Sequence, residues 1–122
     1  MENLPSSARL AFQLAKVGRW SFDPYTMQGC WDEEAAAMHG LPAGPVPPLE
    51  QYVSLFENLS FGMLQQHIKQ AVETNKPFEF EAKLKTANDQ EKWVRWIGQP
   101  VAELCRIVRI DGAVQDISEM KA

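Results

Sequence analysis

Chemistry in this 122-residue chain must come from a short stock of side chains: two cysteines, two histidines, four tryptophans and sixteen acids. Cys30 and Cys105 stand alone, without C-x-x-C spacing or a histidine close in sequence. They support neither a metal site nor a disulfide framework, and read as small buried apolar residues. Asp23, Asp32, Asp89 and Asp111 fall at turns, strand ends or helix caps rather than as a pair on one face. No serine has a visible histidine and acid in support, so general acid–base and nucleophilic catalysis are disfavoured. His39 ends a short helical stretch, where capping suits it better than ligation. What remains is binding: Trp20, Trp31, Trp93 and Trp96 are a heavy aromatic load that can stack on a planar ligand or fill a core.

The bulk numbers narrow the class. The length is that of one domain with an ordinary single core. Apolar residues at 45% and charged residues at 23% describe a globular chain, and no stretch nears the roughly 20 apolar residues of a membrane span. The first twenty residues lack a basic segment followed by an unbroken apolar run, so no export signal is visible and the cytoplasm is the expected location. A net charge of −4 argues against a nucleic-acid partner, which needs a basic stripe.

These side chains need elements to position them. Leu10, Leu14 and Val17 recur at helical spacing, widened by Ala11 and Phe12, with Ser6 or Ser7 to cap the start, which predicts an amphipathic helix over residues 1–17. "RWSFD" alternates as a half-buried strand, "DPYTMQG" turns the chain, and "MQGCW" returns it as a hairpin. Asp32, Glu33, Glu34 and Gly40 then bracket a short helix. "LPAGPVPPLE" holds four of the eight prolines and reads as a surface loop. One or two helical turns are expected over residues 49–56, followed by a longer helix capped by Ser60, with Leu64, Ile68, Ala71 and Val72 on one face and an end at Asn75 and Pro77. From Phe78 the period changes to two, and "ANDQ" and "ELC" separate three consecutive antiparallel strands.

The expected fold class is therefore α+β: a five-stranded antiparallel sheet covered on one face by short helices and one longer helix. A cavity can form between sheet and cover. The sheet would contribute Phe80, Ala82, Leu84, Val94, Trp96, Val108, Ile110, Gly112 and Val114, and the long helix Met63, Leu64, His67 and Ile68. Bulky Phe80, Leu84, Trp96 and Met63 favour a small cavity, while Gly112 and Ala82 leave space. Trp93 and Trp96, three apart on a strand, must point to opposite faces. The apolar set Val94, Trp96 and Gly98 is assigned inward. The outer face would then carry Trp93, Ile97 and Val101, a patch suited to the N-terminal helix or a second subunit. A register slip of one residue would instead turn Arg95 inward, where it would select an anionic ligand.

In this order, "AKVGRWSFD", "CWDEEAAAMHGLP", "AVETNKPFEFEAKL", "KWVRWIGQPV" and "GAVQDISEMKA" resemble PAS domains with a C-terminal PAC motif, over nearly the whole chain. Asp116-Ile117-Ser118 is similar to that family's Asp-Ile-Thr signature. The chain departs from the pattern where "NLSFG" replaces a His-Pro-Asp-Asp segment and Asn88-Asp89 an Asp-Gly turn. The resemblance implies a domain over residues 18–118, with Asp116, Ile117 and Ser118 as the signal exit and residues 119–122 as the root of an output helix. It also implies a sensory module that binds a small ligand, dimerises, or both, and that controls a C-terminal effector such as a histidine kinase or a diguanylate cyclase or phosphodiesterase. The expected homodimer uses the N-terminal helix and outer sheet face. A ligand-free interaction module is the alternative, and a small cone-shaped α+β enzyme the remote one. No cofactor is favoured. Haem on His67, where haem-binding members place their axial ligand, is the one option the resemblance leaves open. The flavin-linked cysteine of light-sensing members is missing, since no cysteine lies between Trp31 and Leu104.

Overall fold

The computed structural model describes residues 7, 10, 11, 14–42, 44–56 and 60–121. Strands β1 (Val17–Asp23) and β2 (Gln28–Trp31) form a hairpin, followed by helices α1 (Glu33–Met38), α2 (Leu49–Val53) and α3 (Ser60–Thr74). Strands β3 (Phe78–Lys85), β4 (Glu91–Glu103) and β5 (Arg106–Asp116) come next, and the short helix α4 (Ser118–Lys121) closes the order. The sheet runs β2-β1-β5-β4-β3, antiparallel throughout. The expected five-stranded α+β architecture is the one observed.

Local chemistry explains the boundaries. Asp32 caps α1 by accepting the Ala35 amide at 2.9 Å, and Gly40 at φ 75° lets the Gly40 and Leu41 amides return to the carbonyls of Ala37 and Ala36. Helix α3 stops at Asn75, which takes φ 53° and donates its amide to the Ala71 carbonyl. In the β1–β2 turn, the Asp23 carboxylate accepts the Tyr25 and Thr26 amides, which hold its pKa below the usual range. The β4–β5 connection places Leu104 and Cys105 at φ 50° and 65°, the two left-handed positions of a tight hairpin turn.

Alternation then sets the two faces. Phe80, Ala82, Leu84, Val94, Trp96, Ile110 and Val114 point inward and are buried, and the register pairs Phe80 with Trp96 and Trp96 with Val114. Fully burying a side chain of this size contributes roughly 1.5–3 kcal/mol. Arg95 points outward, with Glu79 and Glu81 each 2.9 Å from its guanidinium, so it selects nothing in the interior. Trp93 and Ile97 share that outer face, and Ile97 is 43% exposed.

Three expectations change at this level. Cys30 and Cys105 are both exposed: Cys30 pairs with Ser21, opposite in parity to the inward Trp31, and Cys105 sits in the β4–β5 turn. Val108 is skipped by the pairing, because a bulge at Val101/Ala102 opposes Val101 to Arg109 and Ala102 to Ile107. Ile107 is buried there, and Val108 only half-buried. At the N-terminus, Ser7, Leu10, Ala11 and Leu14 are helical, with Leu10 and Leu14 exposed rather than laid on the sheet. Ser6 and Phe12, assigned to the same helix, lie outside the described residues.

Candidate functional site

A cross-strand row of inward positions runs Trp31, Trp20, Gly112, Gly98, Phe78 from β2 to β3. The two glycines make a trough, and the Trp20 indole lies across it. A Cβ on Gly112 would meet Trp20 ring carbons at 2.5 and 2.6 Å, and one on Gly98 would meet Phe78 at 2.4 Å and Trp20 at 3.1 Å. The Trp20 indole N–H donates to the Ala113 carbonyl at 2.9 Å, which fixes the ring and ties β1 to β5. Gly112 was expected to open space for a ligand; it makes room for Trp20.

Helix α3 covers the other half of the sheet, above β3 and β4. Leu64 and Ala71 are its buried residues. Beneath it Phe80, Ala82, Leu84 and Val94 join Phe56 and Leu55 in one packed cluster, with Phe56 stacked on Trp96 at 5.2 Å between ring centroids. Bridging of Phe56 to Leu84, and donation by the Lys85 amide to the Leu55 carbonyl at 2.8 Å, close this side. These four sheet residues are therefore core and do not line a cavity. Ile110, paired with Phe22 and Pro100, is also fully buried outside it.

The cavity opens on the opposite flank of α3, toward the β1–β2 hairpin, with a volume of ≈ 750 Å³. Of the expected lining residues, Leu64, Ile68, Trp96 and Val114 reach it. Trp20, Phe22 and Trp31 from the hairpin, His39, Tyr52, and Val46 with its neighbouring prolines complete the wall. Helix geometry explains which residues of α3 take part. At roughly 100° per residue, Ile68 and Val72 turn to one side of Leu64, while Met63 and His67 turn to the other. Met63 is accordingly 56% exposed. His67 packs over Phe80 and Phe78, at 5.3 and 5.8 Å between centroids, and does not line the cavity. An axial haem ligand must face the cofactor, so His67 does not fit that role.

His39 was expected only to cap α1. It does so, its Nδ1–H donating to the Ala35 carbonyl at 2.7 Å, but its ring also lies in the cavity wall. It is 1% exposed and packs on Trp31 with centroids 4.5 Å apart. Burial lowers its pKa to about 4 against the opposing Ala35 hydrogen bond, with Lys92 adding a small repulsion. The imidazole is therefore neutral, with its proton on Nδ1 and a lone pair on Nε2. The Tyr52 hydroxyl stands 3.4 Å from that lone pair, too far for a strong bond. Burial raises the Tyr52 pKa, so this group is also uncharged. The Trp31 indole N–H is buried without an acceptor. The charged side chains in the wall, Lys69 and Glu73, are solvent-exposed on α3. Among the described residues no cluster of His, Cys, Asp and Glu could hold a metal ion.

At the far end of β5 the chain leaves the sheet through Asp116, Ile117 and Ser118. The Asp116 amide donates to the Lys16 carbonyl at 3.0 Å, and the Ile117 amide to that of Trp93 at 2.9 Å, with Ile117 buried. The Asp116 carboxylate accepts the Ser118 amide at 3.0 Å, so Asp116 satisfies the start of α4. The Ser118 hydroxyl accepts the Trp93 amide at 3.0 Å. Lys121 reaches back over the Trp93 ring at 5.1 Å and pairs with Glu81 at 2.9 Å; together with Arg95 it lowers the Glu81 pKa.

No protein-family model matches the chain, and no curated protein matches it in sequence. Solved structures do match in fold. A sensory box histidine kinase/response regulator from Burkholderia thailandensis E264 superposes with a TM-score of 0.74 at 17% identity, over 95% of this chain and 88% of that one. The N-terminal domain of a diguanylate cyclase with PAS/PAC sensor from Marinobacter aquaeolei gives 0.75 at 16% identity, over 87% and 99%. The PAS domain, in complex with ethanol, of a transcriptional regulator in the LuxR family from Burkholderia thailandensis gives 0.59 at 15% identity, over 90% and 96%. The chain has the PAS fold.

Proposed function

We propose that this domain is a sensor that holds a small molecule between α3 and the β1–β2 hairpin and passes its occupancy to α4. The observation that carries this reading is the ≈ 750 Å³ cavity with its largely apolar wall, beside a β3–β4 half whose core is closed. Two contacts support a route outward. Val114 lines the cavity two residues before Asp116, and Trp20, also in the wall, bonds directly to Ala113. A ligand that repositions Trp20 acts on β5 and hence on the Asp116–Ser118 exit, provided it binds the two states with different affinity. Histidine kinases and diguanylate cyclases among the structural neighbours support an effector of that kind downstream of α4.

Native mass spectrometry of freshly purified protein, with an absorption spectrum and a small-molecule thermal-shift screen, tests the reading. A bound mass or a ligand-dependent rise in melting temperature is expected; a bare mass with no stabilising compound would overturn it. A homodimer is a second, compatible element, favoured by Leu10, Leu14 and Ile97 at 54, 77 and 43% exposure. Light scattering should give twice the chain mass, and Ile97→Glu should halve it; a monomer at about 100 μM refutes this element.

A further inference from the structure

We infer that the cavity selects an uncharged, flat, largely apolar molecule carrying one hydroxyl, with that hydroxyl donating to His39 Nε2. The inference rests on the ligand-binding reading above and narrows it to a chemical class.

The geometry around His39 carries the argument. Commitment of Nδ1–H to the Ala35 carbonyl leaves Nε2 as an acceptor inside the wall, and at 3.4 Å Tyr52 satisfies it poorly. A buried acceptor without a good donor gains a hydrogen bond when a ligand supplies one. A hydroxyl suits this place better than an amine or a carbonyl, because it donates once and accepts twice. The acceptor capacity has its own counterpart in the unpartnered Trp31 N–H, on the ring tilted against His39 with centroids 4.5 Å apart. Charge is excluded by the same wall. His39 and Tyr52 are neutral, and Lys69 and Glu73 are solvent-exposed, so a buried carboxylate or ammonium on the ligand would lose hydration without gaining a partner. Flatness follows from the rings of Trp20, Trp31 and Trp96, which offer faces and edges to an aromatic guest.

Three probes of nearly equal size separate the elements of the claim: 1-naphthol, naphthalene and 1-naphthoate, titrated calorimetrically into the whole chain near neutral pH. Naphthol is expected to bind about tenfold tighter than naphthalene, the effect of one hydrogen bond, and naphthoate weakest. His39→Phe should retain naphthalene binding and bring naphthol to the same affinity. Equal affinities for naphthol and naphthalene in the unaltered protein, or naphthoate binding tightest, overturn the inference while leaving a ligand cavity in place. Failure of all three at about 1 mM, with no stabilising compound in the thermal screen, overturns the sensor reading with it. Should His39→Phe not fold, Tyr52→Phe serves. It removes the weakly competing donor, so the naphthol preference should persist or grow, and a smaller preference refutes the role of Nε2.

Discussion

Acid should destabilise this domain through His39 before it protonates most carboxylates. An unfolded imidazole takes its proton near pH 6.5, whereas folded His39 does so only near pH 4. Between those values the unfolded state binds more protons, so stability falls as pH falls; the loss is absent above about pH 7 and complete below about pH 4. At about 1.4 kcal/mol per pH unit, the full loss is about 3 kcal/mol, of which about 2 kcal/mol has accrued between about pH 7.5 and pH 5. That is a sizeable share of the 5–15 kcal/mol by which domains are typically stable. Urea unfolding at the two pH values should show the difference in the native protein. His39→Phe should lose about 1 kcal/mol at neutral pH, for the bond to the Ala35 carbonyl, yet be about 2 kcal/mol less sensitive to acid. Carboxylates held low by their partners, Asp23 and Glu81, also titrate, but they do so in both proteins and cancel in the comparison. Equal acid sensitivity in the two proteins, or a resonance assigned to the His39 imidazole that titrates near pH 6.5 while the fold persists, would refute a buried neutral His39.

Other perturbations follow from the same contacts. Gly112→Ala places a methyl 2.1 Å from the Ile97 carbonyl oxygen as well as against Trp20, so backbone must shift; a loss of about 2–3 kcal/mol in denaturant unfolding is expected. Leu104→Asn with Cys105→Gly relieves two left-handed residues in an exposed turn, and stability in denaturant unfolding should rise by about 1–2 kcal/mol. Ser118→Ala removes the acceptor of the Trp93 amide, costing about 1 kcal/mol and speeding hydrogen exchange at that amide while leaving Val94 protected.

Periodicity made the sheet legible. Alternation from Phe78 to Leu84 and the apolar parity of Val94, Trp96 and Gly98 fix which side is inward, and that choice turns Arg95 out toward Glu79 and Glu81. The helix caps were equally plain at Asp32, Gly40 and Asn75, because each residue type acts on its own neighbourhood. The cavity was harder. A helical stripe shows that Leu64 faces the sheet, but which flank meets open space depends on where α3 lies across five strands, so Met63 and His67 fall on the other side from the one expected. Gly112 misled for a related reason: the residue that fills its trough, Trp20, comes 92 positions earlier in sequence. His39 carried a local signal, its helix end, but its burial is created by Trp31, Tyr52 and Trp96, which no spacing connects. Val108 lost its place to a bulge with no mark in the residues themselves.

The meeting of Lys16 with the exit gives the domain a mechanical character. Lys16 accepts the Asp116 amide through its carbonyl and pairs with Glu119 at 2.8 Å through its ammonium, just where β1 begins and β5 ends. Because those strands are antiparallel, tension between the incoming and outgoing segments falls on a single end of their ladder. The bonds would open in succession, as in a zipper, instead of sharing the load in shear. The start of β1 can therefore part from β5 by a residue or two while Trp20 still grips Ala113 farther along and β4 still holds Ile117 and Ser118, which makes it a compliant joint on a stiff plate.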